Sequence, residues 1–282
     1  MKNKPIIIVN GEPNSIFLEI FFKAIKNNKF KSPLILISSL KILKLQMKKL
    51  NFKININMID HKNFKKNIID KNSINLINVN YNQKNSFEKI SSKSNSFIKN
   101  SFNIALNILQ QGISHKFING PISKKYFLKK NYLGITEYLT KKTNSKKTAM
   151  LIYNKNLSVC PITTHLPLKM VSKKITKDLI YEKVYLINNF YKKYKKIKPK
   201  IGILGLNPHC ESIHEFNEDE KILKPAIKNL FNLGYKVYGI NITLGLPFTR
   251  ISPDHGPNES MLGKNISNPQ SLVKAINFLD KN

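Results

Sequence analysis

The chain has 282 residues, of which 41% are hydrophobic, and this composition is typical of a globular protein with a sizeable core. Its formal net charge of +32 comes almost entirely from lysine spread from end to end, with a single arginine at position 250. Because arginine is the better residue for phosphate and base recognition, we expect no specific nucleic-acid partner. The absence of a long apolar run or secretory signal core, and of more than two cysteines, indicates a cytoplasmic protein with no membrane span and no disulfide framework.

Short β-branched runs alternate along the chain with longer amphipathic stretches, which is the pattern of an α/β sheet covered by helices. The predicted strands are 5–9, 33–38, 52–58, 74–79, 147–153, 157–162, 200–205 and 236–243. The predicted helices are 14–27, 39–50, 87–113, 122–130, 136–143, 175–195, 218–233 and 269–280. The chain contains no internal repeat and no segment with the composition of a linker.

Several common catalytic motifs are missing from the sequence. No Gly-x-Gly-x-x-Gly turn opens a helix after a strand, and no Gly-x-x-x-x-Gly-Lys-Ser/Thr loop is present. A bound dinucleotide would therefore not use a Rossmann turn. The sequence also lacks a Gly-x-Ser-x-Gly nucleophile elbow, and neither Cys160 nor Cys210 has the local signature of a nucleophile, so covalent catalysis is not indicated.

Polar loops rich in Gly, Pro, His, Asn and Thr follow several apolar runs. These loops are Asn-Gly-Pro-Ile-Ser-Lys-Lys at 119–125, Gly-Ile-Thr-Glu-Tyr at 134–138, Thr-Thr-His-Leu-Pro at 163–167, Gly-Leu-Asn-Pro-His-Cys-Glu at 205–211, and the long segment 241–256. In open α/β sheets, ligands bind beyond the carboxyl ends of the strands. We therefore expect these loops to line one cleft.

Two histidines, His165 and His209, each lie just past an apolar run and could converge on a divalent metal ion. A catalytic metal normally takes three protein ligands and leaves a position open for substrate, and only two are evident here. Each histidine could equally cap a strand end by a hydrogen bond to backbone. Arg250 suits a bidentate contact to a phosphate or carboxylate, with a surface cation as the alternative.

Six segments, in this order, closely resemble the 4-hydroxythreonine-4-phosphate dehydrogenase family of vitamin B6 synthesis. They are Asn-Gly-Pro-Ile-Ser-Lys, Gly-x-Thr-Glu, Thr-Thr-His-Leu-Pro-Leu, Gly-Leu-Asn-Pro-His, Asn-Ile-Thr-Leu-Gly-Leu-Pro-Phe-x-Arg and Ser-x-Asp-His-Gly. The resemblance implies an isocitrate/isopropylmalate-dehydrogenase-like three-layer α/β fold with two subdomains around a cleft. It also implies a homodimer with the active site at the subunit interface. We expect 1–282 to be one catalytic unit, loosely divided into 1–120 plus 236–282 and 121–235.

The resemblance further implies an activity and a set of site residues. Family members use NAD to oxidise the C3 hydroxyl of 4-phosphohydroxy-L-threonine, a small phosphorylated amino acid. The product loses carbon dioxide to give 3-amino-2-oxopropyl phosphate, on the route to pyridoxal 5'-phosphate. Residue by residue, His165 and His209 match two of the three ligands of a divalent metal (Zn, Mg or Co), Thr136 matches a contact to the substrate phosphate, and Asn241 and Arg250 match further substrate contacts.

Two departures from the family pattern bear on activity. Ile135 stands where the family has a histidine. The family also carries a block before the position of Asn241, with the third metal-binding histidine and a substrate lysine, and this chain lacks it. His255, Asp254 and His214 are the predicted compensating ligands. Two alternatives therefore stay open: a catalytically impaired or dead remnant, and a relative that acts on another phosphorylated hydroxy acid.

Overall fold

An eight-stranded sheet in the order β3-β4-β2-β1-β5-β8-β7-β6 forms the centre of the protein. The computed structural model describes residues 3–64, 68–129, 131–154, 156–199, 218–223, 240–244, 247–253 and 261–281, with positions 201, 203, 206 and 226. The strands are β1 Ile6–Val9, β2 Leu34–Ser38, β3 Ile56–Met58, β4 Ile74–Asn78, β5 Lys116–Asn119, β6 Ala149–Tyr153, β7 Ile240–Leu244 and β8 Thr249–Pro253. Strand β7 runs antiparallel to both of its neighbours, and the other strand pairs are parallel.

Helices connect most of these strands. They are α1 Phe17–Asn27, α2 Leu40–Lys49, α3 Asn95–Gln110, α4 Ile135–Lys142, the single turn α5 Leu168–Val171, α6 Lys177–Lys195 and α7 Gln270–Lys281. Short π-helices occupy Lys124–Leu128 and Asp219–Leu223, and 3₁₀ turns occupy Ser92–Ser94 and Ser172–Lys174. In the part of the chain that the structure covers, no helix combines the length and apolar character needed to cross a membrane.

The sheet is buried on both faces, which makes the fold three-layered. Along β1 the side chains alternate: Ile6 and Ile8 join one apolar cluster, and Ile7 and Val9 join the other. Helices α1, α2 and α7 contribute to the first cluster, and α3 contributes to the second. Parallel strands covered on both faces are expected to be apolar throughout, because neither face meets water. The predicted α/β architecture with covering helices is thus confirmed.

The predicted elements differ from the structure in several places. Segment 157–162 is not a strand, and only Val159 forms a bridge, to Ile152. Pro161 has no N–H to donate to a ladder, which explains why the pairing stops there. The helix predicted at 87–113 begins only at residue 95, as α3, and the helix predicted at 122–130 is a single π turn. Most of 200–205 lies outside the described residues.

Strands β5 and β8 were not among the predicted strands. Each is short, and β8 contains residues of the segment 241–256 that its Gly and Pro content marked as a loop. The two pair with each other, with Phe117 opposite Arg250 and Ile118 opposite Ile251. This pairing joins segments more than a hundred residues apart, so local sequence signals do not reveal it.

Candidate active site

The loop that follows β5 is held against the loop that follows β1. The Gly120 N–H donates to the Val9 carbonyl at 2.8 Å, and the Glu12 N–H donates to the Pro121 carbonyl at 2.8 Å. A Cβ on Gly120 would lie 2.0 Å from the Asn10 carbonyl oxygen, a distance that no real contact tolerates. The close approach of the two backbones therefore requires glycine at position 120.

A buried carboxylate secures the same junction. Glu12 is fully buried, and its Oε1 accepts a hydrogen bond from the Asn14 N–H at 3.2 Å, while its Oε2 accepts one from the Ser94 hydroxyl at 2.9 Å. Ser15 Oγ in turn donates to the Glu12 carbonyl at 2.7 Å. Because buried carboxylates are tolerated only when they are hydrogen-bonded, this network explains how Glu12 is accommodated in the core.

The anchored loop presents a lysine to the predicted histidine loop. Ser123 Oγ accepts a hydrogen bond from the Tyr126 N–H at 3.2 Å and so begins the π turn Lys124–Leu128. The Lys124 side chain is exposed, and its Nζ lies 3.5 Å from Nδ1 of His165. The structure thus brings the loops at 119–125 and 163–167 together, as the sequence predicted.

His165 is exposed and has a left-handed backbone, with φ of 58°. This conformation is uncommon for residues other than glycine and must be held by its surroundings. The preceding residue supplies one restraint, since Thr164 Oγ1 donates to Glu137 Oε1 at 3.3 Å. The loop geometry at His165 is therefore tied to the first turn of α4.

Gly134 precedes α4 and opens a small space between two functional groups. A Cβ at this position would lie 2.9 Å from Glu137 Oε2 and 3.0 Å from His165 Nε2. The Oε2 atom is buried and has no hydrogen-bond partner among the described residues. Glu137 belongs to the Gly-x-Thr-Glu segment at 134–137, but no role was predicted for it from the sequence. An acidic residue in the first turn of a helix ordinarily indicates only a favourable interaction with the helix dipole.

Thr136 is the second residue of α4 and is half-buried. Its carbonyl accepts a hydrogen bond from Thr140 Oγ1 at 2.8 Å. No side chain caps the N-terminus of α4, so the first N–H groups of this helix have no capping acceptor and favour an anion. The neighbouring Ile135 packs against the apolar cluster that contains Phe102 and Tyr138.

The other predicted site residues are only partly placed by the structure. Asn241 lies in β7 opposite Ile152 of β6 and Ser252 of β8. Arg250 lies in β8 and not in a loop, because β8 completes the sheet between β5 and β7. His209, His214, Asp254 and His255 lie outside the described residues, so their relation to His165 stays a prediction.

The donors at this site suit a divalent cation chemically. Imidazole nitrogen and carboxylate oxygen are both ordinary zinc ligands. His165 offers an accessible imidazole, and Glu137 Oε2 is a buried carboxylate oxygen without a hydrogen-bond partner in the described part of the chain. Across those described residues, no three His, Cys, Asp or Glu side chains form a group that could hold a metal ion. The described part thus supplies two compatible donors.

Burial raises the pKa of two side chains, Cys160 and Tyr138. Burial raises the pKa of the Cys160 thiol to about 11, so the thiol is protonated at neutral pH and is a poor nucleophile. Burial also raises the pKa of Tyr138 to about 12, with the nearby Tyr132 as a second cause. Tyr138 therefore stays a neutral phenol beside Glu137 in the working pH range.

A cleft of about 1080 Å³ lies at the other end of the strands from His165, beside the amino ends of β2 and β4. Its polar wall includes the exposed Lys26, Lys53 and Lys71. Its buried Asn75 donates to the Leu34 and Asp70 carbonyls and accepts from Asn57. Since ligands of α/β sheets bind at the carboxyl ends of strands, we assign the chemistry to the His165 region and not to this cleft.

Comparison with known proteins identifies the family. The profile of the family described as "Pyridoxal phosphate biosynthetic protein PdxA" matches residues 29–239 and 235–279. The 4-hydroxythreonine-4-phosphate dehydrogenase of Sulfurihydrogenibium sp. (strain YO3AOP1) is 38% identical over an alignment of 197 residues, and the match covers 55% of this chain and 61% of that protein. The enzyme of the same name from Aquifex aeolicus (strain VF5) is 31% identical over an alignment of 211 residues, and the match covers 60% of this chain and 66% of that enzyme. The matched segment thus spans less than two thirds of each relative.

A solved structure extends the comparison to the fold. The crystal structure of 4-hydroxythreonine-4-phosphate dehydrogenase from Klebsiella pneumoniae superposes with a TM-score of 0.82 at 21% identity and covers 98% of each chain. At this identity the match bears on the fold alone. It confirms the predicted isocitrate/isopropylmalate-dehydrogenase-like three-layer architecture.

Proposed function

The chain belongs to the family of the pyridoxal phosphate biosynthetic protein PdxA, and we propose that it is a 4-hydroxythreonine-4-phosphate dehydrogenase. The observation that carries the proposal is the 38% identity to the Sulfurihydrogenibium enzyme of that name. The proposed reaction is the NAD-dependent, divalent-metal-assisted oxidation of 4-phosphohydroxy-L-threonine, followed by decarboxylation to 3-amino-2-oxopropyl phosphate.

Positive groups near His165 support a phosphorylated substrate. The uncapped N-terminus of α4, with Thr136 in its first turn, favours an anion, and the Lys124 ammonium lies beside the histidine loop. We assign the substrate phosphate to Thr136 and the α4 amides. Lys124 would attract the anionic ends of the substrate, and Asn241 and Arg250 would contact the substrate from β7 and β8.

The proposed metal ligands are His165 and His209, with His255, Asp254 and His214 as further candidates. A bound divalent ion would supply Lewis acidity at the substrate hydroxyl and carboxylate, while NAD would accept the hydride. The role of His165 is to present an accessible imidazole at the mouth of the site. The loop anchors at Thr164 and Lys124 keep the ring in place before a ligand arrives.

A homodimer with the site at its interface is supported by exposed apolar side chains near the histidine loop. Leu168 is 88% exposed and Met170 is 40% exposed, and both lie in the short segment that follows His165. Large exposed apolar groups concentrated on one region are typical of an interaction surface. Sedimentation should show a dimer, and Leu168→Asp should shift it towards monomer. A wild-type protein that is monomeric at all concentrations tested would contradict the dimer.

The grouping of the chain into 1–120 plus 236–282 and 121–235 stays a prediction. The pairing of β5 with β8 attaches the C-terminal segment to 1–120, and the pairing of β7 with β6 attaches it to 121–235, so both proposed parts share one sheet. The cytoplasmic location also remains a proposal and rests on the sparse cysteine content.

A catalytically impaired enzyme is the second candidate. The family profile matches in two pieces that meet at 235–239, which supports the absence of the block before Asn241. A site with fewer imidazoles would hold a metal more weakly unless other groups complete its shell. A relative that acts on another phosphorylated hydroxy acid would also tolerate Ile135, whose partly buried side chain packs against the apolar cluster that contains Phe102 and Tyr138.

The deciding experiment is an assay for NADH formation with 4-phosphohydroxy-L-threonine and added zinc, magnesium or cobalt. His165→Ala should abolish turnover, whereas the matched variant His61→Ala, on the far side of the sheet at the end of β3, should retain it. Turnover only with a four-carbon phosphorylated hydroxy acid would favour the alternative substrate. No turnover by the folded wild type with any metal would leave the impaired enzyme as the conclusion.

A further inference from the structure

The cleft beside the amino ends of β2 and β4 has no part in the proposed reaction, and we propose that it binds a second ligand, a phosphorylated compound with an aromatic ring. Lysine ammonium groups at the rim of the cleft hold the phosphate, and the ring lies on an apolar floor. The proposal does not depend on the proposed function, because the cleft is at the other end of the strands from His165.

The cleft has the size of a small-molecule site. Its volume of about 1080 Å³ is close to the upper end of the usual range for such sites, roughly 300–1,000 Å³. Its walls come from three segments of the chain: the end of α1 with the turn that leads to β2, the residues before β3, and the turn before β4. These segments are far apart in sequence and meet around one space.

One wall of the cleft is fixed by a buried amide. Asn75 is 2% exposed, and its Nδ2 donates to the Leu34 carbonyl at 3.2 Å and to the Asp70 carbonyl at 2.7 Å. Its Oδ1 accepts from Asn57 Nδ2 at 2.8 Å and from the Asp70 N–H at 2.9 Å. These bonds join the start of β2 to the turn before β4. A wall that is already ordered in this way lowers the entropic cost of binding a ligand.

The floor of the cleft is apolar. Phe21 and Ile74 are buried there, and Phe30, Phe52 and Ile54 are partly buried and pack against the same apolar cluster. The partly buried side chains still expose apolar surface to the cleft. An aromatic ring that covers this surface removes it from water, which favours binding.

The rim of the cleft carries an excess of positive charge. Lys26, Lys29, Lys53 and Lys71 line it and are exposed. Within the described residues, none of these four lysines forms an ion pair with a carboxylate. Like charges that share one rim repel each other, so an anion bound among them is favourable. Lysine ammonium groups commonly bind phosphate, which offers several acceptor oxygens.

The acidic residue in the lining, Asp70, is engaged within its own turn. Its Oδ1 accepts from the Asn72 N–H at 2.8 Å, and its Oδ2 accepts from the Ser73 hydroxyl. The hydrogen bond from Ser73, followed by that from Asn72, lowers the pKa of Asp70 below its ordinary value. The carboxylate is thus held by its own turn, and the four lysines outnumber it. The cleft therefore keeps a net positive charge for an anionic ligand.

The test is calorimetric titration of the full chain with two ring phosphates, adenosine 5'-monophosphate and pyridoxine 5'-phosphate. Ribose 5-phosphate and inorganic phosphate are the matched anions without an aromatic ring. We expect at least one ring phosphate to bind at one site, about tenfold more tightly than ribose 5-phosphate, because its ring covers the apolar floor. The comparison of the two ring phosphates distinguishes a purine from a pyridine ligand. Equal affinity for all four compounds, or no binding of either ring phosphate, would overturn the proposal.

Two double variants locate the binding. Lys53→Glu with Lys71→Glu should weaken it by about tenfold or more, because charge-assisted contacts to the phosphate are lost. Lys99→Glu with Lys177→Glu makes the same change in net charge on α3 and α6 and should leave the affinity unchanged. Circular dichroism and thermal unfolding establish that both variants are folded.

The two variants also separate a specific site from general attraction to a basic protein. Equal weakening in both would show that net charge governs binding, and unchanged affinity in Lys53→Glu with Lys71→Glu would place the ligand elsewhere. Either result would overturn the proposal. Binding that follows the expected pattern in a wild type that forms no NADH would leave this cleft assigned while the proposed function fails.

Discussion

Glu12 lies in the loop after β1 and Glu137 lies in the first turn of α4, and their carboxylates are used differently. Both oxygens of Glu12 accept hydrogen bonds, and the residue is fully buried between the loops after β1 and β5. Glu137 uses one oxygen for Thr164 and leaves the other without a partner among the described residues, beside the imidazole of His165. A satisfied carboxylate stabilises a fold, whereas a buried oxygen without a donor indicates a site that awaits a partner.

The largest expected effect concerns Gly120, in the loop after β5, which we compare with Gly134, just before α4. A Cβ on Gly120 would meet the Asn10 carbonyl at 2.0 Å, a backbone atom that cannot move away, so Gly120→Ala should destabilise the protein by about 3 kcal/mol or more. Gly134→Ala would meet only the ends of two side chains and should cost about 1 kcal/mol or less. Urea unfolding measures both. Equal losses would show that the two loops do not differ in rigidity.

The second effect compares the carboxylates directly. In Glu12→Gln one acceptor becomes a donor that faces the Asn14 N–H or the Ser94 hydroxyl, so we expect a loss of about 1–3 kcal/mol. Glu137→Gln keeps an acceptor for Thr164 and should change the free energy of unfolding by no more than about 0.5 kcal/mol. Urea midpoints at neutral pH would decide. A large loss of unfolding free energy in Glu137→Gln would show that Glu137 mainly stabilises the fold.

The stability of the protein at alkaline pH should depend on Tyr138, a buried residue of α4. The pKa of Tyr138 is raised from 10.0 to about 12 by burial, so the folded state holds its proton more tightly than the unfolded chain does. The resulting stability is complete below pH 10, falls as the pH rises above 10, and is lost at about pH 12. Tyr138→Phe should reduce the fall in the unfolding midpoint between pH 9 and pH 11. An unchanged fall would show that Tyr138 is not responsible for it.

A modest effect on stability is expected for Thr164→Val. This change removes one partly exposed hydrogen bond and should alter the free energy of unfolding by about 0.5–1.5 kcal/mol. Because the same bond restrains the left-handed His165, Zn²⁺ affinity should decrease more clearly than stability. Thr164→Ser keeps the hydroxyl and serves as the control. Equal Zn²⁺ affinity in Thr164→Val and Thr164→Ser would show that the Thr164 hydroxyl does not contribute to the site.

Much of the fold could be predicted from sequence because its signals are local. The apolar runs that became β1, β2 and β4 and the amphipathic stretches that became α1 and α6 reflect burial along the chain. Strands β5 and β8 were missed because they are short and are stabilised by pairing with each other. Segment 157–162 was wrongly predicted as a strand because its β-branched residues were considered without the effect of Pro161.

The sequence by itself identified the family and the α/β class and predicted His165 as a site residue, because these depend on ordered motifs and on periodicity along the chain. The structure alone placed Gly134 between Glu137 and His165, brought Lys124 to the His165 ring, and joined Thr164 to Glu137. These contacts join the loop after β5, the start of α4 and the segment that follows β6. Distances between such segments depend on how the sheet orders its strands and how α4 packs, and a linear pattern of residue types carries no record of either.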